Sequence, residues 1–136
     1  MKEVSLRPYN GRLFLAKTPK DYERSHQHLF KGPDTLTCAN DGRFVGGEGK
    51  DGFWTYLVWA KDHPTLAHEL SHVVLHVFER CGIDPREANG EPFCYMLSQL
   101  ILDSKKGGEI MPVKKKKDKA KPKKAMGPVV SGKKKK

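Results

Sequence analysis

A chain of 136 residues is long enough for one domain with a modest core and too short for two ordinary ones. Its formal charge of +10 would suit a nucleic-acid binder, but residues 104–136 hold 14 lysines against Glu109 and Asp118, whereas residues 1–103 hold 12 basic and 14 acidic side chains. The positive charge therefore belongs to a Lys-rich tail, 104–136, and the domain, 1–103, is slightly acidic, which excludes a folded basic surface as the source of that charge.

Cys38, Cys81 and Cys94 are odd in number and lack C-x-x-C spacing, which argues for reduced thiols and against a disulfide framework or a cysteine-ligated metal. The opening "MKEVSLRPYNGRLFLAK" has no secretion-signal apolar run, and no stretch approaches the ~20 apolar residues of a membrane span. The expectation is a soluble cytoplasmic protein that makes no membrane contact.

In chain order, "VSLRPYNGRLFLAK" places two short apolar segments around Asn10-Gly11 and predicts a hairpin. "TPKDYERSHQHLF" opens on Thr18-Pro19 and stops before Gly32-Pro33, which predicts a short helix. His26 and His28 stand two apart on it, so they point to different faces and read as solvent-facing. "TLTCANDGRFVGGEGKDGFWTYLVWA", punctuated by Asp41-Gly42 and the glycines at 46, 47, 49 and 52, predicts antiparallel strands. A small antiparallel sheet followed by helices gives an α+β class.

The segment "DHPTLAHELSHVVLHVFER" is the chemically informative one. On a helical wheel His68, His72, His76 and Glu79 fall within about 80° of one another, while Leu66, Ala67, Leu70, Val73, Val74, Val77 and Phe78 fill the opposite arc. Pro64 suits the first turn and Gly82 a left-handed C-terminal cap.

His68-Glu69-Leu70-Ser71-His72 is H-E-x-x-H. Histidines four apart stand ~6 Å from each other at Cβ and can converge on one Zn2+ ion through bonds of ~2.0 Å. Glu69 points about 100° away, close enough to take a proton from water activated by the metal without ligating it. His76 lies too far along the helix to join the same ion, since His68 to His76 spans ~12 Å of rise, and it reads as a pocket-lining residue. In "GIDPREANGEPFCYMLSQLILD", Pro92 begins a second helix with Phe93, Met96, Leu97, Leu100 and Ile101 as its apolar side. Glu91, at the mouth of that helix, is the favoured third ligand; Glu87 is the rival, and in "DPRE" it also fits a capping position opposite Asp84.

"TLAHELSHVVLHVFERCGIDPREANGEPFCYMLSQLI" resembles the short gluzincin-type zinc metallopeptidase-like proteins of tailed phages and prophages, in which H-E-x-x-H is followed by a glutamate on the next helix within E-x-x-x-Y. The resemblance covers about residues 53–103. It implies a minimal zincin-like domain in a bacterial cytoplasm, with His68, His72 and Glu91 as zinc ligands, Glu69 as general base and Tyr95 as the tyrosine of the second motif. Tyr95 and His76 are the candidates for stabilising the oxyanion.

Two classes of function follow. The first is a zinc-dependent peptidase acting on a peptide or protein substrate, with "FWTYLVWA" as either a strand that binds substrate by addition or an ordinary core strand. The second is a non-catalytic, zinc-fastened module. The presence of Glu69 favours the enzyme, because a closed structural site has no use for a carboxylate beside an open position. The tail has too few large apolar residues to order itself, and reads either as solubilising or as a sequence-independent attachment to nucleic acid or another acidic partner.

Overall fold

The computed structural model describes residues 1–32 and 41–106. The expected strand start at "TLTCAN", Cys38 and the Lys-rich tail beyond Lys106 lie outside the described residues. Four strands, β1 (Lys2–Ser5), β2 (Arg12–Leu15), β3 (Gly42–Glu48) and β4 (Trp54–Ala60), form one sheet in the order β1-β2-β4-β3. Helix α1 (Pro19–Leu29) precedes β3; α2 (His63–Cys81) and α3 (Glu91–Lys105) follow β4.

The class is α+β, as expected, but the sheet is mixed. β1–β2 and β3–β4 are antiparallel, whereas β2 and β4 run parallel in the register Arg12↔Thr55 to Leu15↔Val58. A parallel pair needs a crossover, and α1 supplies it by leaving the end of β2 and covering one sheet face. β4 is consequently an interior strand, buried from Thr55 to Ala60 and flanked by β2 and β3. Of its two readings this leaves the core strand and excludes the substrate-binding edge: both of its backbone edges are already paired. Phe53 lies just before β4 and is exposed.

Strand alternation feeds two apolar layers. Leu13, Leu15, Tyr56, Val58 and Ala60 face α2, where they meet Leu66, Leu70, Val73, Val74, Val77 and Phe78, with Leu100 arriving from α3. Phe14, Leu57 and Trp59 point the other way, onto Tyr22, Leu29 and Phe30 around α1. α1 starts as its sequence predicts: Thr18 accepts from the Asp21 backbone N–H at 3.0 Å, and Asp21 accepts from the Lys17 N–H at 2.9 Å. His26 departs from expectation. It is only 6% exposed, between the rings of Tyr22 and Phe30, because Tyr22, Ser25, His26 and Leu29 share the inward stripe of α1; His28 is exposed.

At the far end, α3 runs through Lys105 and buries Ser104, and the Lys2 ammonium donates to the backbone carbonyls of Asp103, Ser104 and Lys106. The described chain is thus tied from its first strand to its last helical turn. No described helix is long and apolar enough to cross a membrane.

Candidate metal centre

α2 is the element that positions the site. Asp62 caps it by accepting from the Thr65 N–H at 2.9 Å, Pro64 occupies the first turn, and Gly82 closes it in the left-handed region at φ 67°. Leu70, Val73, Val74, Val77 and Phe78 fix its rotation against the sheet. That rotation leaves His68 and His72 exposed on one side, with Glu69 half-buried beside them.

The two imidazoles face each other through the same atom. Nε2 of His68 and Nε2 of His72 are 3.2 Å apart, with ring centroids at 4.8 Å and planes at 88°. A tetrahedral zinc with bonds of about 2.0–2.1 Å holds two ligand nitrogens about 3.3 Å apart. An N–H···N hydrogen bond between the rings would have a similar length, so neither ring has to move far to exchange that bond for an ion. On this geometry the pair fits zinc.

Glu69 owes its place to a glycine on β3. A Cβ at Gly42 would stand 2.5 Å from Thr65 Cγ2, 2.8 Å from Glu69 Oε1 and 3.1 Å from Glu69 Cγ. The carboxylate therefore occupies the room that any other residue at 42 would take. Burial pushes its pKa above the ordinary value, opposed by charge on His68 and His72, which pulls it down. A carboxyl held in that way, one residue from a candidate ligand, suits proton transfer. Gly42→Ala is expected to lower stability by about 1–3 kcal/mol, because the Glu69 tip can swing aside more easily than Thr65 Cγ2, which sits on a β-branched side chain stiff at χ1. Denaturant unfolding checks this, and an unchanged midpoint would show that β3 absorbs the methyl group freely.

Farther along α2, His76 enters an aromatic row contributed by the sheet. Its Nδ1 is 3.3 Å from the Tyr56 hydroxyl, and its ring stacks on Trp54 with centroids 5.7 Å apart. Phe44 bridges back to the histidine pair, stacked on His72 at 5.9 Å and edge-on to His76 at 6.3 Å. The Arg80 guanidinium closes the row 4.0 Å above the Trp54 ring. His76 is thus partly buried among these rings.

The remaining candidates stand apart. Among the described residues no three His, Cys, Asp or Glu side chains gather into a group that could hold a metal, so neither Glu91 nor Glu87 joins the histidine pair. Glu91 is exposed in the first turn of α3, directly after Ala88 (φ 48°), Asn89 (φ 58°) and Gly90 (φ 80°). Glu87 opens the short 3-10 turn Glu87–Gly90, and the side chain of Asp84 accepts from the Arg86 N–H at 2.9 Å. Tyr95 is 73% exposed and lines a groove of about 340 Å³ with Arg7, Pro8, Tyr9 and Pro92, between the β1–β2 loop and α3. Gly42, Phe44, Trp54, Tyr56 and Arg80 were missed by the motif. A signal for them exists in the period-2 row Gly42, Phe44, Gly46 on β3, and in Arg80 standing four residues after His76. Compared with models of protein families, with curated proteins and with solved structures, the chain finds no match in any of the three.

Proposed function

We propose that this protein is a zinc-dependent metallopeptidase of minimal zincin-like form. The observation that carries the reading is the facing pair of Nε2 atoms, 3.2 Å apart, with the Glu69 carboxylate set beside it against Gly42. His68 and His72 hold the metal. Glu91 is the proposed third ligand, on the resemblance of its E-x-x-x-Y segment, and its recruitment needs the left-handed Ala88–Gly90 turn to rearrange. Non-glycine residues in that region each cost about 1–2 kcal/mol, so the turn has conformational energy to release.

Bound zinc supplies a Lewis acid that acidifies water and polarises a scissile carbonyl. Glu69 accepts the proton of the attacking water on a carboxylate oxygen and delivers it to the leaving amine nitrogen. Its half-buried position keeps the carboxyl from being fully solvated and brings its basicity closer to that needed near neutral pH. Substrate lies extended along β3, the sheet edge beside the histidine pair, whose outer side no described strand covers. Gly42, Gly46 and Gly47 keep that edge low. The test is a digest of a mixed peptide library by the zinc-loaded protein, read by mass spectrometry. New termini that disappear with a chelator are expected; an unchanged library would contradict the proposal.

The tail adds an electrostatic partner. A chain truncated after Lys106 should keep the fold, because every described contact of β1 with α3 is retained, and should lose most of its affinity for random-sequence DNA. The full chain's binding should also fall steeply with salt. Equal affinity of the two proteins would return the tail to a solubilising role.

A further inference from the structure

Resting on the peptidase reading, we infer that Arg80 and His76 form a substrate subsite for a carboxylate, set about three extended residues from the bond to be cut.

Arg80 is exposed on the last turn of α2, and among the described residues no carboxylate pairs with it. Its guanidinium is nevertheless held in place, 4.0 Å over the Trp54 ring. Stacking on an aromatic face leaves the in-plane N–H groups of arginine free to meet a carboxylate with two parallel hydrogen bonds.

His76 contributes a second donor. Burial pushes the Tyr56 hydroxyl up in pKa, and the neighbouring Arg80 pulls against that shift. The hydroxyl lies 3.3 Å from His76 Nδ1, and when it donates to that nitrogen the ring N–H resides on Nε2. Trp54 contacts both groups, stacked with His76 at 5.7 Å between centroids and 4.0 Å from the Arg80 guanidinium.

The spacing sets the register. Helical side chains lean toward the N-terminus, so the guanidinium sits near the level of His76, on the order of 10 Å from the His68–His72 pair. Extended chain advances about 3.3 Å per residue, which makes that distance about three residues. Gly46 makes room for the Tyr56 ring that holds His76: a Cβ there would lie 2.8 Å from Tyr56 Cδ1. The carboxylate is either an Asp or Glu side chain or the free C-terminus of the substrate.

The experiment uses the full chain carrying Glu69→Gln, loaded with zinc, so that binding is read without turnover. Capped alanine hexapeptides with one glutamate at each position in turn, their glutamine counterparts, and the uncapped C-terminal acid are titrated while Trp54 fluorescence is followed. At least one acidic peptide should bind about tenfold tighter than its neutral counterpart, the size expected of one charge-assisted pair. Arg80→Met should lower that preference to the level the shared Lys-rich tail gives, and His76→Gln should reduce it. The tail is common to all these proteins, so its attraction for acidic peptides cancels in the comparison between them. A preference absent from the Arg80 protein, or equal in Arg80→Met, overturns the subsite. Failure of the peptidase reading is distinguishable, because it removes cleavage by the Glu69 protein and leaves this binding preference intact.

Discussion

His72→Ala should purify with almost no zinc, while the unaltered protein carries close to one ion per chain. The expectation follows from donor number. Of the described His, Cys, Asp and Glu side chains, only His68 and His72 bring donor nitrogens face to face, 3.2 Å apart. Removing one leaves a lone exposed imidazole, which binds zinc too weakly to survive purification. The fold should persist, because His72 is exposed and the core face of α2 is untouched. Glu91→Gln should weaken retention less severely, since two imidazoles remain. Metal analysis after gel filtration measures all three, and full occupancy in His72→Ala would place the ion elsewhere.

Glu69→Gln should keep the zinc and lose at least about a hundredfold in hydrolytic rate, the lower range for loss of a positioned base. The amide fills the same room against Gly42 but cannot accept a proton from water. A second effect has a sign that separates burial from catalysis. Burial raises the Glu69 pKa above its ordinary 4.5, so folding resists its ionisation. The stability associated with the protonated form is complete below about pH 4.5 and declines as pH rises through the folded value. The metal-free Glu69→Gln protein lacks that decline, so its stability relative to the unaltered protein should improve between about pH 4 and pH 7. Thermal unfolding of the two metal-free proteins at both values reads the difference, and a change of opposite sign would mean that Glu69 is held by a stabilising partner. Hydrolysis that survives the substitution would remove Glu69 from the mechanism.

Much of α2 was legible because its signals are local. Asp62, Pro64 and Gly82 delimit it, and the apolar period of Leu66, Leu70, Val73, Val77 sets which side faces out. The same locality explains the misreadings. His26 looked solvent-facing because only its spacing from His28 was weighed, whereas its place four residues after Tyr22 put it on the inward stripe. The parallel pairing of β2 with β4 joins segments about forty residues apart through α1, and no local pattern encodes that choice. The uninterrupted apolar run of β4 did carry a signal, since strands covered on both faces lose polar alternation. Glu91 was placed by its position at the mouth of the second helix and by the motif, whereas the turn that leads into it carries three successive left-handed residues, of which only Gly90 advertises that conformation. The aromatic row beside His76 is assembled from β3, β4 and α2, so it becomes visible only once the sheet order is known.

Zinc K-edge absorption on the purified full chain tests the central claim most directly, because it reads the ligand atoms without reference to any substrate. The account predicts two imidazole nitrogens at about 2.0–2.1 Å with oxygen completing the shell, and loss of one imidazole contribution in His68→Ala reconstituted with excess zinc. A shell containing sulfur, or one with the same imidazole count in His68→Ala, would contradict it.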